Sequence, residues 1–324
     1  MNHNLVLKTS WHDESRRKLE AARACQEGDV DKLIDLTLSY LSYRGRKGSR
    51  TRPKTFDTYS IGIKDFYAYC WPDKEASPAV PILRAKPEDI ERYLANLLST
   101  GGHLEHAHQG ERTPMTAATY LSGIRALYRA LIWAGLLEVS PAQEVRSPVD
   151  PRPRHEKRPA LPNEDYKYLL KEVSGRDVQD KRMRVLLRLM GDQGLRISEV
   201  VNLALKDIDM RAAMIFIHEG KGGKSRSIPM TRGTEWSKGW LKEREYYAQA
   251  DETAVLINIG KMVKKERQGR KMHANTIRLQ LDKLYKQAGI SERYTGAHIL
   301  RHTAGTRLYR NTRDLYRVAQ ILNP

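Results

Sequence analysis

Five prolines, Pro148, Pro151, Pro153, Pro159 and Pro162, fall between residues 146 and 162. Proline lacks the amide proton a helix ladder needs and restricts the residue before it, so no helix crosses this tract. Arg152, Arg154, Lys157 and Arg158 stand among the prolines. A stretch of this composition reads as an extended, semi-rigid, positively charged linker over residues 146–160. The chain of 324 residues is thereby divided into two parts, each long enough for its own core.

Upstream of the linker the apolar periodicity is helical. Residues 1–28 are polar and helix-prone and read as an extension, packed on the first domain or partly disordered. From Asp29 onward Leu33, Ile34, Leu36, Leu38 and Leu41 mark one buried face. A second helix, about residues 55–71, offers Phe56, Tyr59, Ile63, Phe66, Tyr67 and Cys70. A third opens with Pro87 in its first turn, and a fourth runs from Thr116 to about Ala134. Four such helices predict a small all-α domain over residues 29–145, its aromatic residues serving as core. Between the last two helices His103, His106 and His108 lie in a Gly-flanked loop; with no cysteine and no helical His pair nearby, solvated histidines are expected there.

The part from residue 161 predicts helices at about 163–173 and 180–191. Two short β-prone runs follow, Met214 to His218 and Ser225 to Met230, joined by E-G-K-G-G-K as a hairpin. Helices return at about 234–249, 273–288, 298–310 and 313–322. The fold class is therefore mainly α, with one small antiparallel sheet.

Charge narrows the partner. The formal net charge is +18, from 57 Lys and Arg against 39 Asp and Glu. The excess is clustered: Arg44, Arg46, Lys47, Arg50, Arg52 and Lys54 occur in residues 41–54 with no acid. Residues 261–286 hold nine basic side chains against Glu266 and Asp282. Clustered cation of this kind points to a polyanion, with nucleic acid first among the candidates. Only Cys25 and Cys70 are present, which excludes a disulfide framework and a thiolate metal site and suits a reducing cytoplasm. No apolar run reaches membrane-spanning length.

Within the second part the stretch G-L-R-I-S-E-V-V-N-L sets Arg196 between Gly194 and a helix expected to start with Ser198 as N-cap. A guanidinium beside outward-pointing amides suits a phosphate oxygen. A hundred residues later H-I-L-R-H-T puts His298 and Arg301 three apart on one helix face. The hairpin sequence G-K-G-G-K-S is not a Walker A loop, because His218 occupies the position of its first glycine and the loop leads into a strand. Lys221, with a glycine next to it, is instead placed to approach a nucleic-acid groove closely.

Taken in order, Arg196, Lys221, His298 and Arg301 make the chain resemble the tyrosine recombinase and phage integrase family, of the Xer and Cre type. G-L-R-I-S-E is similar to the box around that family's first catalytic arginine, H-I-L-R-H-T to its His-x-x-Arg box, and the hairpin G-K-G to the position of its lysine. The resemblance runs from about residue 30 to the end. It implies a helical, SAM-like core-binding domain at 29–145 and a catalytic domain at 161–324. By resemblance, Arg196 and Arg301 would bind non-bridging oxygens of a scissile phosphate. Lys221 would act as general acid and His298 would assist, with Glu199 and His302 as supports behind them. Arg44, Arg46, Lys47, Arg50, Arg52, Lys224 and Arg226 are expected to touch DNA.

No metal and no cofactor is expected, since two arginines can carry the charge on phosphorus. The implied partners are double-stranded DNA and further protomers of the same or a paired recombinase, four of them around a Holliday junction. No membrane is expected, and the expected location is cytoplasmic, at the nucleoid. One departure stands out. The last helix, with Leu315, Val318, Ile321 and Leu322 as its apolar stripe, is followed by Asn323-Pro324, so no residue is left for the family's nucleophilic tyrosine. Tyr309 and Tyr316 are in the wrong segment. The expectation is thus a recombinase without its nucleophile segment, inactive in cleavage as it stands. The alternative is a non-catalytic DNA-binding relative that occupies recombination or regulatory sites.

Overall fold

The computed structural model describes residues 11–45, 53–104, 110–153, 156, 159–173, 177–218, 225–230, 234–261 and 263–322. It divides into two compact units, Met1–Pro151 and Arg152–Pro324.

The first unit is helical among its described residues: α1 (Glu14–Glu27), α2 (Val30–Tyr43), α3 (Pro53–Cys70), α4 (Pro87–Ser99) and α5 (Pro114–Trp133). Helix α1 lies within the stretch expected as an extension. Its buried face consists of Ala21, Ala24 and Arg17, too small and too polar to stand out as an apolar stripe. Asp13 caps it by accepting from the Arg16 amide at 2.6 Å. Arg17 fastens α1 to the rest, donating to the carbonyls of Trp11 (3.0 Å) and Trp133 (3.1 Å) while its guanidinium lies 4.2 Å from the Trp133 ring.

Helices α3 and α5 cross closely because each presents a glycine to the other. A Cβ on Gly62 would meet the Tyr120 backbone at 2.9 Å, and one on Gly123 the Tyr59 carbonyl oxygen at 3.0 Å. Phe66, Tyr93, Leu127 and Tyr128 fill the core beside them. Asp65 is buried there, accepting from the Tyr93 hydroxyl (2.9 Å) and the His103 amide (3.0 Å).

His103 corrects one expectation. Its ring is packed, with centroids 5.1 Å from Tyr69 and 5.9 Å from Tyr93, because the bond from its backbone to Asp65 draws the loop inward. His106 and His108 lie outside the described residues.

The second unit contains α6 (Asn163–Glu172), α7 (Val178–Gly191), α8 (Ile197–Asn202), β1 (Ile208–Asp209), β2 (Met214–Ile217), β3 (Arg226–Pro229), α9 (Glu235–Tyr247), α10 (Ala274–Gln287), α11 (His298–Thr312) and α12 (Leu315–Leu322). The strands pair antiparallel in the order β1-β2-β3, with Ile215 opposite Ile228. The hairpin was legible in the sequence; the two-residue strand β1 was too short to show an alternation. A non-helical run, Ala254 to Ile257, is buried against α9, where Trp240 donates to the Val255 carbonyl (2.8 Å) and Arg244 to that of Ala254 (2.7 Å). Among the described residues no helix is long and apolar enough to cross a membrane.

Candidate nucleic-acid site

The site is assembled where α7 ends. Gly194 takes φ +70, a left-handed conformation that favours glycine, and the Leu195 amide returns to the Leu189 carbonyl at 2.9 Å. That turn buries Leu195 completely and delivers Arg196 to the start of α8. Arg196 itself, and not Ser198, is the N-cap. The Glu199 carboxylate reaches back to the Arg196 amide at 2.8 Å and closes the helix start two residues earlier than the sequence suggested.

Glu199 then becomes the hub. Besides that amide it accepts from the Arg196 guanidinium (2.9 Å) and from both terminal nitrogens of Arg226 (3.0 and 2.8 Å), and Arg301 approaches it at 4.0 Å. Three guanidiniums from α8, β3 and α11 thus share one buried carboxylate. Burial pushes the Glu199 carboxyl up, but hydrogen bonds from the Arg226 guanidinium and the Arg196 backbone outweigh it and hold it at about 2. Burial also pulls Arg301 down to about 10, helped by the neighbouring charges of Arg196 and Arg226 and opposed by Glu199.

Arg301 sits in α11 with a side chain only 7% exposed. Its guanidinium donates to the backbone carbonyls of Gly194 and Leu322. Leu322 reaches that position because α12 packs on two glycines: its side chain occupies the space that a Cβ on Gly194 or Gly305 would need. Helix α11 is itself held to α7 by Asp192, which pairs with Arg188 (2.7 Å) and Arg307 (2.6 Å). Arg307 also lies 4.7 Å from the Tyr166 ring. The Asp192 clamp was not legible beforehand, because Arg307 arrives from a helix more than a hundred residues on.

Of the residues singled out by sequence, Arg196, Glu199 and Arg301 come together. His298 opens α11 three residues before Arg301, exposed, its ring edge-on to His302 at 4.8 Å. Arg44 is exposed at the end of α2. Lys221, Lys224, Arg46, Lys47, Arg50 and Arg52 lie outside the described residues. Arg226, expected among the DNA contacts, turns away from the surface. Its side chain is 7% exposed and turned inward, held by the Glu199 carboxylate and by the Ile321 carbonyl, to which its Nε donates at 3.0 Å. Tyr309 and Tyr316 are both exposed.

Comparisons with known proteins give the family and the fold. Residues 159–323 match the phage integrase family. The tyrosine recombinase XerC of Stutzerimonas stutzeri is 31% identical over 230 residues, covering 68% of this chain and 71% of that one. The XerC of Proteus mirabilis is 27% identical over 284 residues, covering 82% and 86%. Among solved structures, the XerH site-specific recombinase bound to its difH substrate in a post-cleavage complex superposes with a TM-score of 0.65 at 19% identity, covering 97% of this chain and 83% of that one. A lambda integrase dimer (residues 75–356) bound to a core site gives 0.64 at 16% identity, covering 91% and 94%. These likenesses share the mainly helical fold with its small sheet. The chain belongs to the phage integrase family, the tyrosine recombinases.

Proposed function

We propose that this chain binds duplex DNA at a specific site, and that its second unit is built for strand cleavage and rejoining through a 3′-phosphotyrosyl intermediate. In that chemistry a tyrosine oxygen forms a bond to phosphorus, the bond to the 5′-oxygen breaks, and that oxygen takes a proton. Arg196 and Arg301 would hold the non-bridging oxygens and stabilise the charge that builds on pentacoordinate phosphorus. Lys221 would supply the proton to the leaving 5′-oxygen, and His298 would hydrogen-bond the phosphate. The nucleophile's role is assigned to none of the 324 residues. The residues over 146–160 would link the two DNA-binding parts, and four protomers would meet at a Holliday junction.

The observation that carries this reading is the convergence of Arg196 and Arg301, 105 residues apart in sequence, on one carboxylate that does not neutralise them both. Further support comes from relatives whose structures hold DNA, the XerH–difH complex and the lambda integrase core-site complex. The test is duplex binding measured across salt concentration. Arg196→Ala should flatten the dependence of log affinity on log salt by a slope of roughly one, the signature of one lost phosphate contact. An unchanged slope would place Arg196 away from DNA and defeat the proposal. RNA competing as well as duplex DNA would count against it too.

A further inference from the structure

Arg226 has more bonding committed to the interior than any role at a DNA surface would use. Its terminal nitrogens fork onto both oxygens of Glu199 at 3.0 and 2.8 Å, and its Nε donates to the Ile321 carbonyl at 3.0 Å. A planar guanidinium gripping a carboxylate in two parallel bonds fixes that carboxylate's orientation as well as its charge. The same carboxylate holds Arg196 at both its amide and its guanidinium. Strand β3 is thus joined to the start of α8 on one side and to the end of α12 on the other.

We propose that Arg226 is a positioning residue for the phosphate site: it locks Glu199 in the rotamer that aims Arg196, and does not itself touch DNA. This rests on the reading of Arg196 as a phosphate ligand. The logic is that of a relay of rigid groups. Without Arg226 the Glu199 carboxylate stays anchored through one oxygen to the Arg196 amide at 2.8 Å, but its other oxygen, which holds the Arg196 guanidinium at 2.9 Å, is free to turn about that anchor. Arg196 then loses its fixed direction although no residue of the phosphate site has been removed. Lysine could not replace the fork, because an ammonium is a point charge with no planar pair of donors.

A double-mutant cycle with Arg226→Met and Glu199→Gln tests the relay. Duplex binding is measured across salt for the wild type, both single variants and the pair. Arg226→Met should flatten the salt dependence by about one, as Arg196→Ala does. In the Glu199→Gln background it should cause no further change, because the relay is already cut. A further loss of about one in that background would mean that Arg226 contacts a phosphate directly, and would overturn the inference. So would an unchanged slope for Arg226→Met in the wild-type background, which would leave the residue a purely structural role.

If Arg226→Met alone does not fold, the pair still answers, since removing both charges together leaves no unpaired carboxylate. Glu199→Gln and the pair should then share one slope. A second readout follows the Glu199 carboxyl by carbon NMR. In the wild type it should stay ionised down to about pH 4, whereas in Arg226→Met its midpoint should rise by about 1–3 units. No rise would show that Arg226 does not hold Glu199. An unchanged slope for Arg196→Ala would defeat the phosphate reading instead, and the NMR titration would still report on the Arg226–Glu199 link.

Discussion

The two units bury different things. The first packs aromatic and aliphatic side chains, Phe66, Tyr93, Leu121 and Tyr128 among them, and among its described residues the buried charged side chains are Arg17 and Asp65. The second packs an apolar core of similar kind, yet also buries Arg182, Glu199, Asp207, Arg244 and Arg301. Burying ions is expensive, and hydrophobic replacements of similar volume are often as stable or more so. A unit that carries so many is shaped by something other than stability. The first unit is a scaffold in this sense, and the second a holder of charge. Three of its arginines are fixed by backbone carbonyls: Arg182 by Ile257, Arg244 by Ala254 and Glu252, Arg301 by Gly194 and Leu322.

The contrast can be broken most directly by removing one ion and one ring. Glu199→Ala strands three guanidiniums in the second unit and should cost about 3–5 kcal/mol there, read by denaturant unfolding, with loss of DNA affinity. Phe66→Ala should cost a similar amount, about 3–5 kcal/mol, in the first unit. Hydrogen exchange would show which unit is loosened. If Glu199→Ala left the second unit as protected as before, the charge-holding description would fail.

Acid sharpens the same contrast. The Glu199 carboxyl is held down in the folded chain, so its contribution is complete above its ordinary value near 4.5 and is lost as pH falls toward about 2. The difference corresponds to about 3 kcal/mol. Glu199→Gln should remove that part of the acid dependence, and an identical acid profile in the variant would contradict the assignment.

A smaller effect is expected at Gly194. Alanine there must adopt φ +70 and would also press on the Leu322 side chain. The strain costs about 1–2 kcal/mol. The measurable outcome is faster amide exchange in α12 with α1 to α5 unchanged. Equal exchange in α12 would show that Leu322 does not depend on this socket.

Much of this was legible from sequence because its causes are local. Pro87 marks a helix start, the stripe Phe56–Ile63–Phe66 marks a buried face, and the two β-prone runs around Ile215 and Ile228 mark the hairpin. The short motifs around Arg196 and Arg301 carried the family resemblance for the same reason. What escaped is what only tertiary structure brings together. Arg226 looked like a surface base two residues from a lysine, and its inward turn depends on Glu199 arriving from another element. Asp192 drew no notice in the sequence, since its partner Arg307 comes from α11. Helix α1 was hidden because alanine and arginine make its buried side.

The carbonyls around Arg301 have an electrical consequence. A carbonyl steers a guanidinium without cancelling it, so orientation is obtained and the cation keeps its full charge. Among the described residues Glu199 is the carboxylate that Arg196, Arg226 and Arg301 share, one negative charge set against three positive ones. A phosphodiester brings one negative charge at rest and develops a second as phosphorus becomes five-coordinate. On the proposed reading of Arg196 and Arg301 as phosphate ligands, that surplus would match the fleeting species better than the resting one, which is the difference in binding that speeds a reaction.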